Sequence, residues 1–117
     1  ASDLDMRVAP QRGKLTANGV PFAFKGVSWL GTESEAMVPH GLGRHSVDHY
    51  LAMLQAEGFN AIRLPFDHER MLKNQIVPMN DALAFAPELA NLPYSHLFLT
   101  LALLAIYRRN DGHPVCP

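Results

Sequence analysis

The 117-residue sequence predicts an α/β protein with parallel strands. Segments of strand and helix period alternate along it, the turns from helix to strand are short, and an Asn-Gly pair near the N-terminus marks a separate hairpin. A strand-helix-strand order with short joins folds as a right-handed crossover onto a parallel sheet. In such a sheet ligands meet the C-terminal strand ends, which puts Trp29, Glu33, Arg63 and His68 on one rim. The helix-to-strand turn at residues 58–60 belongs to the opposite, structural end.

In "GKLTANGVPFAF", Asn18-Gly19 supplies the positive φ angles of a tight hairpin turn. Residues 24–30 carry the aromatic and β-branched character of a strand, and 31–43, with Thr, Ser, Pro and Gly, read as a long loop. Ser46 is placed to cap a helix with Asp48 in its first turn, while Val47, Tyr50, Leu51 and Leu54 share one face. Gly58 ends that helix. Residues 61–66 form the next strand, and Pro65 stops its pairing. Residues 67–91 read as a mixed loop with a helical turn around 81–86. "LFLTLALLAIY", residues 97–107, lies in a second long helix halted by Asn110-Asp111-Gly112; it falls short of the ~18 apolar residues of a membrane span and reads as a buried helix.

Composition narrows the function. Ten Lys+Arg against eleven Asp+Glu give a net charge of −1 with no basic run, so nothing marks a nucleic-acid or anionic-membrane partner. The single cysteine, Cys116, excludes an intrachain disulfide. His45 and His49 stand four apart beside Asp48, but no H-E-x-x-H occurs, and no metal site is predicted. His68-Glu69 reads as a solvated loop pair. No cofactor motif is present.

"GFNAIRLPFDHE" holds the one charged side chain inside an apolar strand, Arg63. Burying it alone would cost several kcal/mol, on the order of the desolvation penalty of one ion. Either an anion waits beside it, or the head reaches water over a packed stem.

"NGVPFAFKGVSWLGTES" and "HGLGRHSVDHYLAMLQAEGFNAIRLPF" together resemble the start of the family 5 glycoside hydrolases, the cellulase-like (β/α)8 barrels. The match is closest over residues 13–69. The resemblance implies one partial barrel domain over 1–117, made of an N-terminal hairpin and about two to three βα units. It implies retaining hydrolysis of β-glucan without a cofactor, by an endo-β-1,4-glucanase or close relative, a polysaccharide partner and secretion. Arg63 matches the strand-two arginine that lies against the nucleophilic glutamate and keeps it ionised. Trp29 matches the aromatic at the end of strand one, placed to stack on a sugar; rim packing is the alternative. His40 stands in the family's His-Gly-Leu loop, where it could bond sugar hydroxyls or simply be solvated.

The chain also departs from that pattern. Gly43 replaces a usual tryptophan, residues 97–106 are apolar on every side except Thr100, and the ending "HPVCP" fits a central strand badly. A complete barrel needs about 250 residues. No segment matches the acid/base or the nucleophile: Glu33, Glu35, Glu57, Glu69 and Glu88 all lie outside such motifs. The alternative is a non-catalytic remnant that binds carbohydrate or a protein. Open strand edges and the barrel-facing side chains Val27, Ile62 and Leu64, left uncovered, predict self-association.

Overall fold

Local sequence signals set most element boundaries in the computed structural model, which describes residues 6–8, 15–21 and 23–109. The tail "HPVCP" lies outside the described residues. Strands β1 (Met6–Val8), β2 (Leu15–Ala17) and β3 (Val20–Pro21) form an antiparallel sheet in that order. Asn18 and Gly19, at φ 53° and 80°, make the hairpin turn between β2 and β3.

A second sheet pairs β4 (Gly26–Ser28) with β5 (Ala61–Arg63) in parallel, through the crossover helix α1 (Val47–Ala56). Both strands are shorter than their apolar segments. In register, Gly26 faces Ala61, Val27 faces Ile62, and Ser28 faces Arg63. Ser46 caps α1 by accepting the His49 N–H at 3.1 Å. At the other end Gly58 takes φ 81°, its N–H reaching Gln55 O at 3.0 Å and that of Phe59 reaching Leu54 O at 3.0 Å. This paired closure of the last carbonyls is a Schellman motif.

The next two residues complete the turn. Asn60 accepts the Lys25 N–H at 2.9 Å and donates to Ala23 O at 2.9 Å, so it fastens the lead into β5 to the lead into β4. Lys25 Nζ donates to Glu57 O at 2.6 Å and lies 4.8 Å from the Phe59 ring centre. Gly-Phe-Asn is structural, as its place at the N-terminal strand end predicts.

Residues 67–91 are more ordered than the sequence suggests. A short helix, α2 (His68–Lys73), starts at Asp67, which accepts the Arg70 N–H at 2.9 Å, and stops at Asn74 in the left-handed conformation, φ 47°. His68 and Glu69 are thus helical rather than loop residues, and Glu69 pairs with Lys73 at 2.7 Å. Two 3-10 turns follow, Asp81–Leu83 and Pro87–Leu89, the first capped by Asn80. The expected turn over 81–86 is the first of them.

Helix α3 (Tyr94–Arg109) packs on α1 and α2. Only Tyr94, Leu97 and Leu101 are buried on it, while Leu99, Leu103, Ile106 and Tyr107 are exposed. The buried helix expected over 97–107 is therefore half-covered, because its neighbours reach one face. No described helix is long and apolar enough to cross a membrane. The fully buried side chains come mainly from loops: Val38, Leu42, Val77, Leu83 and Leu89 close against Val47 and the start of α3. The core therefore sits beyond the strand ends rather than under the sheet.

Candidate functional site

The rim where β4 and β5 end is assembled by one side chain of α3. Tyr94 is fully buried, its hydroxyl donating to Thr32 O at 2.5 Å and accepting the Asp67 N–H at 3.0 Å. The Thr32 hydroxyl donates to Pro65 O. The loop after β4 and the loop after β5 are thereby joined to each other and to α3. Burial pushes the Tyr94 phenol above its usual pKa, so it stays a neutral donor. Arg70 strengthens the same join, donating to Ser34 O at 2.8 Å. This clamp escaped the sequence reading. No local signal marks it, because it joins residues far apart in the sequence.

Gly31 lets the loop after β4 turn tightly. Its φ is 128°, and a Cβ there would lie 2.4 Å from Val38 O and 2.6 Å from His40 N. Glu33 is spent on this turn, accepting the Gly31 N–H at 2.9 Å. Gly43, where the related pattern has tryptophan, faces Asp81 O, which a Cβ would meet at 3.0 Å. The 3-10 turn at 81–83 thus stands where a large side chain would project.

Arg63 ends β5 on the face away from the helices, because strand side chains alternate and Ile62 packs toward the core. The guanidinium is exposed and donates to Ser28 Oγ at 3.2 Å, its register partner. Among the described residues it forms no ion pair. Within the described residues the head reaches solvent and Ser28 Oγ.

Trp29 and His40 come together, though not through their rings. The Trp29 indole N–H donates to the His40 carbonyl at 2.9 Å, and the indole lies 5.5 Å from the Tyr50 ring in a tilted contact. It packs half-buried against the core. His40 is exposed, and its amide bonds Leu30 O at 2.8 Å. His68, at the start of α2, faces Phe66 with ring centres 6.4 Å apart. His45 and His49 stack at 4.0 Å, both edge-on to Tyr50. No group of three or more metal-ligating side chains converges among the described residues.

Ile62 and Leu64, expected to face a barrel interior, instead point toward the helices; Arg63 and Ser28 take the opposite face. The alternation of the strand places them so.

No protein-family model matches the chain. In sequence it is similar to an endoglucanase of Paenibacillus polymyxa, 38% identical over 52 residues that make up 44% of this chain and 13% of that enzyme. In structure it is similar to the endocellulase of Pyrococcus horikoshii. Against one variant of that enzyme in complex with cellotetraose the TM-score is 0.65 at 27% identity, over 94% of this chain and 27% of the other. A second structure, of the hyperthermophilic endocellulase, gives 0.65 and 27%, over 92% and 26%. The chain thus spans about a quarter of the endocellulase it matches and a smaller share of the endoglucanase. It resembles cellulase-type endoglucanases in both sequence and fold, as its motifs imply.

Proposed function

We propose that the chain is the N-terminal part of a family 5, retaining glycoside hydrolase barrel that cleaves β-glucan. The observation that carries this reading is the parallel pair β4–β5, which sets Arg63 beside Ser28 at the C-terminal strand ends on the face free of helices. Double displacement at a sugar needs one carboxylate ionised as nucleophile and a second protonated as acid. A fixed guanidinium beside the nucleophile favours its ionised form, and its planar fork also orients the carboxylate. The two carboxylates would come from sequence other than these 117 residues, since none of the five glutamates at 33, 35, 57, 69 and 88 stands in a matching motif. A polymeric substrate implies a secreted enzyme.

Alone, the chain is expected to release no reducing sugar from soluble β-glucan, because an arginine supplies neither acid nor nucleophile. Release above that of an Arg63→Ala control would reject the reading. Residues 13–69 grafted into the Paenibacillus polymyxa endoglucanase are expected to support activity. There Arg63→Ala should lower turnover about 100-fold or more, with the melting temperature nearly unchanged. Equal turnover in graft and mutant would remove Arg63 from the site. Cellotetraose binding by the chain alone, without hydrolysis, would favour the non-catalytic alternative.

A further inference from the structure

On the helix side of the sheet, opposite the Arg63 face, lies a cavity of about 570 Å³. Ile62 and Leu64 form one wall, Leu51 and Leu54 of α1 a second, and Leu101 and Ile106 of α3 a third. It borders the chain from Phe59 to Leu64, about 16 Å at the rise of a strand. The volume falls within the ~300–1,000 Å³ of small-molecule sites. Among the described residues no Asp or Glu lines it, and its charged residues are Arg108 and Arg109, at the end of α3. Arg108 is bound by Asp48, whereas Arg109 forms no ion pair among the described residues. The polar groups beside them are sparse, and the Asn60 amide is already committed to the backbone at Ala23 and Lys25. A saccharide, which needs polar partners along its length, is a poor fit.

We propose that this cavity binds one free anionic amphiphile, a medium-chain fatty carboxylate. Its alkyl chain lies between β5, α1 and α3, and its head group meets Arg109. Apolar walls without a filling atom forfeit dispersion contacts, and an extended alkyl chain restores them. β5, α1 and α3 each contribute a wall and the cavity is half open to solvent, which suits a single alkyl chain with its head group in water. Charge complementarity selects the head group, since among the described residues the charged side chains of the lining are arginines, Arg108 paired with Asp48 and Arg109 outside any ion pair.

The sole tryptophan, Trp29, lines the cavity and reports occupancy by its fluorescence. Titrating the full 117-residue chain with decanoate below its micelle concentration is expected to give a saturable change at one ligand per chain. Affinity should rise by roughly fourfold per added methylene from hexanoate to decanoate, if each is fully buried. Arg109→Gln should weaken decanoate about fivefold, the upper end for one exposed charge pair, and leave decanol unchanged. Ala105→Phe, which fills the cavity, should abolish both; if that variant does not fold, the chain-length series decides. Several ligands per chain, no dependence on chain length, or equal losses for decanol and decanoate in Arg109→Gln would overturn the proposal. So would binding to phosphatidylglycerol vesicles with no response to monomeric decanoate. The site lies across the sheet from Arg63, so an inactive endoglucanase graft would leave this result standing.

Discussion

Two regions of the molecule satisfy their apolar residues very differently. In the loop-built region, Leu42, Leu83 and Leu89 reach 0% exposure although none of them lies in an α-helix or strand. In the region of the parallel sheet and the outer half of α3, Leu99 and Leu103 remain 57% and 53% exposed despite sitting in a regular helix. Regular structure and burial are therefore decoupled here. Loops bury their side chains because Tyr94 and Arg70 tie the segments around Thr32, Ser34 and Asp67 together, while the Phe85 N–H on Leu42 O and the paired bonds of Val77 with Asn91 and Leu92 hold the segments of Leu42, Leu83 and Leu89. The sheet does not, because only two strands pair and their helices meet the strands along one side. The Cα radius of gyration, 15.7 Å, exceeds the ~13 Å of a compact chain of this size.

The sharpest way to break this comparison is to remove the clamp. Tyr94→Ala deletes a fully buried ring and is expected to cost about 3–5 kcal/mol, read as lost amide protection across residues 31–43. Tyr94→Phe keeps the ring but strands the Asp67 N–H and a Thr32 carbonyl lone pair, at a cost of about 1–3 kcal/mol. Its effect should centre on exchange of the Asp67 amide. If Tyr94→Phe instead loosened the outer turns of α3 as much as the loops, the two regions would be one cooperative unit.

Two glycines sharpen the contrast at smaller scale. Gly31→Ala places a Cβ against backbone at 2.4 Å in a loop that cannot yield without opening the core, so about 2–3 kcal/mol is expected. Gly58→Ala meets nothing nearer than Lys25 Nζ at 3.7 Å and suffers only the left-handed backbone, about 1 kcal/mol. Urea unfolding of the two variants checks the order. A Gly58 variant as damaged as the Gly31 variant would mean that the helix-to-strand turn is as tightly packed as the rim.

Much of the sheet region was legible in the sequence because its signals are local. Asn18-Gly19, Ser46 and Gly58 each announce a backbone conformation through their own chemistry, and the apolar spacing around Val47 and Leu51 points one way. Helix α2 was missed because it spans fewer than two turns and its cap, Asp67, follows a proline-ended strand without an amphipathic run behind it. The clamp was not legible at all. Tyr94 meets Thr32 across 62 positions, and no local pattern encodes such a contact. For the candidate site, the strand position of Arg63 was readable from the apolar segment around it. Its exposure was not, since that depends on which elements cover the other face of the sheet. Trp29 left two readings open because an indole serves packing and stacking alike; the neighbouring Tyr50 and the His40 carbonyl favour packing.

The smallest expected effect concerns the tie between the helices that flank the sheet. Arg108 donates through Nε to Asp48 Oδ1 at 2.8 Å and through its terminal nitrogen to Oδ2, joining α3 to α1. The hydrogen bond from Arg108 holds the Asp48 carboxyl below its ordinary pKa, with the guanidinium's charge adding to it and partial burial opposing it. A carboxyl whose folded pKa is depressed binds its proton more weakly than in the unfolded chain. The pair therefore stabilises fully above the unfolded value near 3.9, and its contribution drains away as pH falls through the lower, folded value. Both side chains are substantially exposed, at 34% for Arg108 and 58% for Asp48, so solvent limits the contribution to about 0.2–1 kcal/mol. Asp48→Asn is expected to be less stable than the parent at pH 6 by that amount, and the two should converge toward pH 2. Added salt should narrow the gap at pH 6 as well. A gap that persisted unchanged at low pH would assign the loss to Asp48 as a first-turn helix residue or to packing, and would leave α1 and α3 joined by the contact of Leu51 with its apolar neighbours rather than by charge.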